Sequence, residues 1–275
     1  MQRLISKSFP DIYKMCSSPA TLRFGVLYKH PHRLLYPTLK VGISSNDILK
    51  GMNLKRTSVN MTSRAYSIRG WGRTEFSPEV IEMMRGAVER SEKMECEIGF
   101  LLCKCFGRIT PSKEIAIGSH TEIPREKLLT TTCPRGCEPI GYFHTHPSTH
   151  PGGIPHPTAA DIRVGVYELL PIVCVGTVGK IVCYKIPEEI IKYRRKEKEY
   201  GEESEKVLKE LMQKGYSPDD AMKHPKYDAL VGKMFHYTRL YWNSMNDFAE
   251  AVERQDRLTL RRYGKYGEPF LEVAW

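Results

Sequence analysis

The feature that most constrains the fold is an apolar strand that ends in two histidines. Ile140-Gly-Tyr-Phe143 has the β-branched and aromatic content of a buried strand, and it runs directly into His144-Thr-His146-Pro147. Side chains two residues apart on a strand project from the same face, so His144 and His146 can hold one metal ion. The chain must therefore bring further ligands to the end of this strand.

The residues that follow supply a third ligand. Positions 148 to 157 form a loop rich in Pro, Gly and His, and Thr158-Ala-Ala-Asp161 then has the pattern of a helix start. The loop can return Asp161, in the first helical turn, to the strand end. Two imidazoles and one carboxylate leave a fourth tetrahedral position for water, which is the arrangement of catalytic zinc sites. We therefore predict a Zn²⁺ site formed by His144, His146 and Asp161.

A metal site of this kind needs a proton acceptor beside its water. Glu97 opens a second predicted buried strand, which reads Glu97-Ile-Gly-Phe-Leu-Leu-Cys-Lys-Cys105. Glu95 lies two residues earlier and is the alternative. Each motif taken singly also has a structural interpretation, since Thr158 with Asp161 is a plain capping box. Their combination in one chain favours a functional site.

The order of these elements resembles the JAMM metalloproteases, the zinc-bearing members of the MPN domain group. The matching elements are Glu97 on an early strand, His144-Thr-His146-Pro147, and Pro157-Thr-Ala-Ala-Asp161. The resemblance covers roughly residues 76 to 187. It implies an α/β fold, with an MPN (JAMM) core of a mixed β-sheet flanked by helices. The Glu-x-Gly-x-Leu context of that family favours Glu97 over Glu95 as the acid.

The resemblance also implies an activity. Family members hydrolyse amide bonds with zinc, and they commonly cut the isopeptide bond between a ubiquitin-like protein's C terminus and a substrate lysine. By resemblance, Glu97 would transfer protons between the water and the leaving amine, and Thr158 would stabilise the oxyanion. The substrate would be a protein, and a ubiquitin-like conjugate fits this class.

The sequence departs from the family pattern in two places. Thr158 stands where the family has Ser, which keeps the hydroxyl and adds a methyl group. The loop between His146 and Asp161 is longer than the common form and contains two extra histidines, His150 and His156. These histidines would remodel the substrate groove or change the metal specificity.

The charge distribution divides the chain. The formal net charge is +10, and residues 1 to 75 contain thirteen basic and three acidic side chains, so the whole excess lies there. Aromatic residues alternate with these bases, a composition that suits nucleic acid or an acidic partner. A small basic domain with an aromatic core is the simpler alternative. We expect a basic N-terminal domain or extension at 1–75 and the metalloprotease core at 76–187.

The region 188–275 is predicted to be helical. An apolar stripe at helical spacing extends from Tyr227 to Val252, and it indicates either an intramolecular core or an oligomer face. No apolar run is long enough to cross a bilayer, and the N-terminus lacks a signal-type apolar region, which favours a cytoplasmic protein. A non-catalytic MPN-type interaction module, or a nucleic-acid-associated protein acting through 1–75, is the alternative to an enzyme.

The eight cysteines favour a reducing compartment because they are too sparse for a disulfide scaffold. Cys133-Pro-Arg-Gly-Cys137 would be a metal knuckle, a redox-sensitive clip or, as the favoured interpretation, a turn with two small apolar residues. Cys174 and Cys183 are symmetric about Val178-Gly179. A hairpin at that point would place them opposite each other and permit a disulfide.

Overall fold

A computed structural model describes residues 66–67, 75–149 and 154–275. The basic N-terminal region predicted for 1–75 therefore lies outside the described residues, apart from positions 66, 67 and 75. The predicted assignments of 76–187 and 188–275 fall within the described part, except for positions 150–153.

The described residues form a mixed α/β fold. The strands are β1 (Tyr66–Ser67), β2 (Glu75–Phe76), β3 (Ile98–Cys105), β4 (Arg108–Pro111), β5 (Ala116–Ile117), β6 (Glu138–Thr145), β7 (Ile172–Thr177), β8 (Lys180–Lys185) and β9 (Leu271–Ala274). The helices are α1 (Pro78–Met94), α2 (Arg125–Leu129), α3 (Ala159–Tyr167), α4 (Glu188–Gln213), α5 (Pro218–Lys223), α6 (Pro225–Arg254) and α7 (Arg257–Arg262). None of the helices in these ranges is long and apolar enough to cross a membrane.

The strands form one mixed sheet in the order β1-β2-β4-β3-β6-β7-β8-β9, with β5 paired to β3. The pairs β2/β4 and β6/β7 are parallel, and the other pairs are antiparallel. Strands β3 and β6 are neighbours at the centre of this sheet, and Gly99 of β3 pairs with His144 of β6. The sheet therefore places the two segments that carry the candidate site side by side.

Helix α1 begins where its sequence predicts a helix start. The Ser77 side chain accepts a hydrogen bond from the backbone N–H of Val80, and Pro78 occupies the first helical position. Its buried face packs on one side of the sheet against Phe100 and Phe143. The helix stops at Glu95, whose left-handed φ of 50° ends the helical hydrogen bonding and lets the chain turn directly into β3.

The other side of the sheet is covered by α3 and α6. Ile162 of α3 and Met245 and Phe248 of α6 share one apolar cluster with the sheet residues Val173 and Tyr184. The last three turns of the predicted apolar stripe are therefore intramolecular core. The beginning of the stripe packs elsewhere, since Leu230 joins Val207, Leu211 and Ala221 in a smaller cluster between α4, α5 and α6.

The structure departs from the predicted helical region 188–275 at its end. The strand β9 follows α7 and pairs with β8, with Val273 opposite Ile181. Alternate residues of β9 are buried, which is the pattern of a strand with one face on the core. The region 188–275 thus shares both a sheet and a core with 76–187.

A shared core predicts one cooperative unfolding transition. Phe248 is fully buried, and Phe248→Ala should lower the free energy of unfolding by about 3–5 kcal/mol. Phe235→Ala on the same helix is the matched control, because Phe235 is 44% exposed, and it should cost less than about 0.5 kcal/mol. Calorimetry that resolves two separate transitions, with only one shifted by Phe248→Ala, would contradict a common core.

The cysteines are paired more extensively than the sequence suggests. Cys174 is bonded to Cys183 across the β7–β8 hairpin, as its symmetry permits. Cys133-Pro-Arg-Gly-Cys137 does form a turn, but the interpretation of its cysteines as small apolar residues is wrong. Cys133 is bonded to Cys103 and Cys137 to Cys105, so both tie the turn to β3. The expectation of a reducing compartment, which rested on cysteines too sparse for a disulfide scaffold, therefore loses that support.

These pairings predict the result of peptide mapping without reductant. We expect disulfide-linked peptides joining Cys103 to Cys133, Cys105 to Cys137 and Cys174 to Cys183. Each bond closes a loop in the unfolded chain, so full reduction should lower the free energy of unfolding by about 2–4 kcal/mol per independent bond. Rapid alkylation of Cys133 or Cys137 in the native, unreduced protein would contradict the pairing.

Candidate metal centre and its flanking carboxylate

Strand β6 delivers the two histidines to one point at its carboxyl end. The Nε2 atoms of His144 and His146 lie 3.0 Å apart. Asp161, in the first turn of α3, places Oδ1 3.2 Å from Nε2 of His144 and Oδ2 3.7 Å from Nε2 of His146. Both histidines are buried, and 17% of the Asp161 side chain is exposed. The three side chains predicted as metal ligands are therefore brought together.

These residues fit a tetrahedral zinc ion. Zinc bonds of about 2.0–2.1 Å to nitrogen and oxygen set tetrahedral ligand atoms about 3.3 Å apart. The observed separations of 3.0 to 3.7 Å bracket that value. The donor set of two imidazoles and one carboxylate is also one that zinc prefers. Within the described residues, no other group of three or more such side chains converges in this way.

The outer nitrogens of the two rings differ in their surroundings. Nδ1 of His146 lies 3.2 Å from the backbone carbonyl of Ile154, so a ring that binds a metal through Nε2 can donate its Nδ1–H there. Nδ1 of His144 is buried and has no hydrogen-bond partner among the described residues. The ring of His144 instead stacks on Tyr142, with ring centroids 5.6 Å apart.

The carboxylate of Asp161 is held from within its own helix. Thr158 is the N-cap of α3, and both its backbone N–H and its hydroxyl donate to Oδ2 of Asp161, at 2.7 and 2.8 Å. Burial opposes ionisation of Asp161, but His144, His146 and the Thr158 hydrogen bond together hold its pKa well below the usual range. Burial likewise opposes the charged form of His144, yet Asp161 and Glu97 raise the pKa of His144 to about 9. The cluster is thus electrostatically coupled.

Glu97 lies beside this cluster and is 4% exposed. Gly99 pairs with His144, and Glu97 lies two residues before Gly99, directly ahead of β3, so alternation along the extended chain points its side chain toward the histidines. Burial raises the pKa of Glu97 to about 7, His144 counteracts this, and the negative charges of Asp161 and Glu122 add to it. The carboxyl group also accepts a hydrogen bond from the backbone N–H of Ile123.

Glu95 occupies a different position from Glu97. It is exposed and serves as the left-handed C-cap of α1, so its side chain lies outside the cluster. Gly99 is required for the Glu97 arrangement, since a Cβ at this position would lie 2.7 Å from Cδ1 of Ile123 and 2.9 Å from the carbonyl oxygen of Phe143. The structure therefore brings Glu97, and not Glu95, to the predicted ligands.

A chain of buried hydroxyls fixes the backbone of Glu97, and the sequence interpretation missed it. The N–H of Ile98 donates to the hydroxyl of Thr145 at 2.9 Å, and Thr145 donates to the hydroxyl of Ser91 at 2.7 Å. Ser91 in turn donates to the carbonyl of Cys96 at 2.6 Å. Both neighbours of Glu97 are thereby tied to β6. The sequence feature that could have indicated this chain is Thr145. It lies between the two histidines, so strand alternation directs its hydroxyl to the opposite face of the sheet.

The extra histidines of the loop do not enlarge the described metal group. Nε2 of His156 lies 2.9 Å from the backbone carbonyl of Glu253, in the last turn of α6. His156 therefore joins the loop to the C-terminal helix and lies outside the group of His144, His146 and Asp161. His150 lies outside the described residues. Ser148, at the start of the loop, donates hydrogen bonds from its backbone N–H and its hydroxyl to the Glu92 carboxylate.

Comparisons with known proteins add no assignment to this geometry. No protein-family profile matches the chain, and no curated protein matches it significantly. The interpretation of the site therefore rests on its residues and their arrangement.

Burial of Glu97 predicts a pH-dependent stability of the metal-free protein. The pKa of this carboxyl rises from 4.5 to about 7 on folding, so the folded state binds the proton more tightly than the unfolded state. The resulting contribution to the free energy of unfolding is fully present below about pH 4.5 and is lost as the pH rises through 7. Glu97→Gln removes this titration. Denaturant unfolding should show the variant more stable than wild type by up to roughly 3 kcal/mol near pH 8, with a much smaller difference near pH 5.

The matched control is Glu95→Gln. Glu95 is exposed, so this variant should stay within about 0.5 kcal/mol of wild type at both pH values. A Glu97→Gln difference that does not change with pH would show that Glu97 titrates as it does in water.

Proposed function

We propose that the chain is a zinc-dependent hydrolase of amide or isopeptide bonds, built on an MPN (JAMM)-type core. The observation that carries the proposal is the convergence of His144, His146 and Asp161 beside the buried carboxyl of Glu97. The topology is compatible with it, because a mixed sheet flanked by helices delivers these residues from β3, β6 and the start of α3.

The candidate site residues have different roles in this proposal. His144, His146 and Asp161 would hold the ion, which would supply Lewis acidity and lower the pKa of a nearby water. Glu97 accepts a proton from the attacking water and delivers it to the leaving amine. A general acid–base group works best when its pKa lies near the working pH, and in the metal-free chain burial raises the pKa of Glu97 in that direction.

Thr158 has a narrower role in the described geometry than the family resemblance implies. Its hydroxyl donates to Oδ2 of Asp161, so it orients a metal ligand. Stabilisation of an oxyanion by Thr158 requires the hydroxyl to exchange this bond for one to the substrate. The backbone N–H of Thr158 also donates to Oδ2 of Asp161, so the carboxylate remains held during such an exchange.

The non-catalytic alternative explains the site less well. A buried carboxyl beside a second carboxylate and two histidines costs stability, and a scaffold gains nothing from it. Apolar residues at Glu97 and Asp161 would serve a pure interaction module better. The substrate class follows from the same proposal: a protein joined through an amide, including a ubiquitin-like protein joined through its C terminus to a lysine.

The proposal is tested by comparing wild type with Glu97→Gln on isopeptide-linked conjugates. The glutamine amide keeps the shape of the side chain and cannot accept the proton, so hydrolysis should fall by at least about 10²-fold while bound zinc is retained. Mass spectrometry of a cell extract treated with each protein would identify bonds cut only by wild type.

Glu95→Gln is the matched control for this assay. It changes the same functional group two residues away, on the exposed helix cap, and should leave hydrolysis unchanged. An active Glu97→Gln variant, or wild type with zinc that cuts no amide bond, would refute the proposal.

A further inference from the structure

Tyr142 is a buried residue that connects two of the candidate ligands. It lies two residues before His144 on the same face of β6 and is 3% exposed. Its hydroxyl donates a hydrogen bond of 2.6 Å to the backbone carbonyl of Asp161. Its ring stacks on the ring of His144, with centroids 5.6 Å apart and planes inclined by 25°.

The contact made by Tyr142 differs in kind from those made by Thr158. Thr158 and Asp161 belong to the same helix start, so their capping box sets the direction of the carboxylate relative to α3. It does not set the distance between α3 and β6. The Tyr142 hydroxyl spans that gap with a hydrogen bond, beside the apolar packing of Ile162 on Val173, and it ends on Asp161, whose carboxylate lies 3.2 and 3.7 Å from the histidines.

The hydroxyl of Tyr142 is an uncharged donor in this position. A neutral donor also leaves the charge of the ligand set unchanged.

We propose that Tyr142 is a positioning residue of the metal centre, whose hydroxyl holds the first turn of α3 against β6 so that the ligand atoms of His144 and Asp161 are spaced for one ion. This inference rests on the proposed function, because it assumes that the three ligands bind zinc. Its contribution is preorganisation: the ligands need no rearrangement when the ion arrives.

The test is the zinc affinity of Tyr142→Phe, measured by competition with a chromophoric chelator at fixed pH. Phenylalanine keeps the ring on His144 and removes only the hydroxyl. Loss of an outer partner of a metal ligand typically weakens binding 10- to 100-fold, and we expect about 10-fold here.

Tyr167→Phe is the matched control. The Tyr167 hydroxyl is also buried, at the end of the same helix α3, but it has no hydrogen-bond partner within the described chain. Its removal should change zinc affinity less than about 2-fold. Thermal unfolding of both metal-free variants checks that each is folded at the temperature of the titration.

A second readout separates positioning from general stability. Cobalt(II) in a tetrahedral site absorbs strongly in the visible range, and this absorption should weaken in Tyr142→Phe and not in Tyr167→Phe. A lower melting temperature with unchanged zinc affinity and unchanged cobalt spectrum would overturn the inference. Wild type that binds no zinc would overturn the proposed function and this inference with it.

Discussion

The arrangement depends on the pairing of β3 with β6 in one register. Gly99 opposite His144 places Glu97 next to the histidines, and a shift by one residue would turn its side chain to the other face of the sheet. The hydrogen bonds from Ile98 to Thr145 and on through Ser91 to Cys96 lock this register at the end where the site lies. A single motif residue, Thr145, therefore connects the segment of the two candidate histidine ligands to the segment of the candidate base.

The remaining elements support the sheet from outside, both near the site and away from it. The disulfides from Cys103 and Cys105 lie toward the opposite end of β3, since Cys103 pairs with Pro139 at the start of β6. The helix α3 is supported by α6, where Nε of Arg163 donates to Oδ1 of Asn246 at 2.9 Å. The C-terminal region is thus a support for the helix that carries Asp161.

Much of the site could be predicted from sequence because its signals are local. Spacing on a strand defines the His144 and His146 pair, and capping chemistry places Asp161 at a helix start. The helix start at Ser77 and the β7–β8 hairpin follow from equally local rules. The choice between Glu97 and Glu95 needed the family context, and the structure shows why the two differ: Glu97 directly precedes β3 and is buried, whereas Glu95 is the exposed C-cap of α1.

The features that could not be predicted from the sequence depend on contacts between residues that are far apart in the chain. The bonds from Cys133 and Cys137 to β3 span about thirty residues, and no local pattern encodes them. The strand β9 is short and follows a long helical region, so only its pairing with β8 identifies it. The contact of His156 with Glu253 and that of Tyr142 with Asp161 likewise join elements that are distant in sequence.

The central claim is that His144, His146 and Asp161 bind one zinc ion with an open position. X-ray absorption at the zinc edge tests it most directly on the full chain, after removal of loosely bound metal. We expect about one zinc per chain, with some four nitrogen and oxygen neighbours at about 2.0–2.2 Å and the scattering signature of two imidazoles. A protein without tightly bound zinc, or a zinc ion with sulfur neighbours near 2.3 Å, would contradict the account.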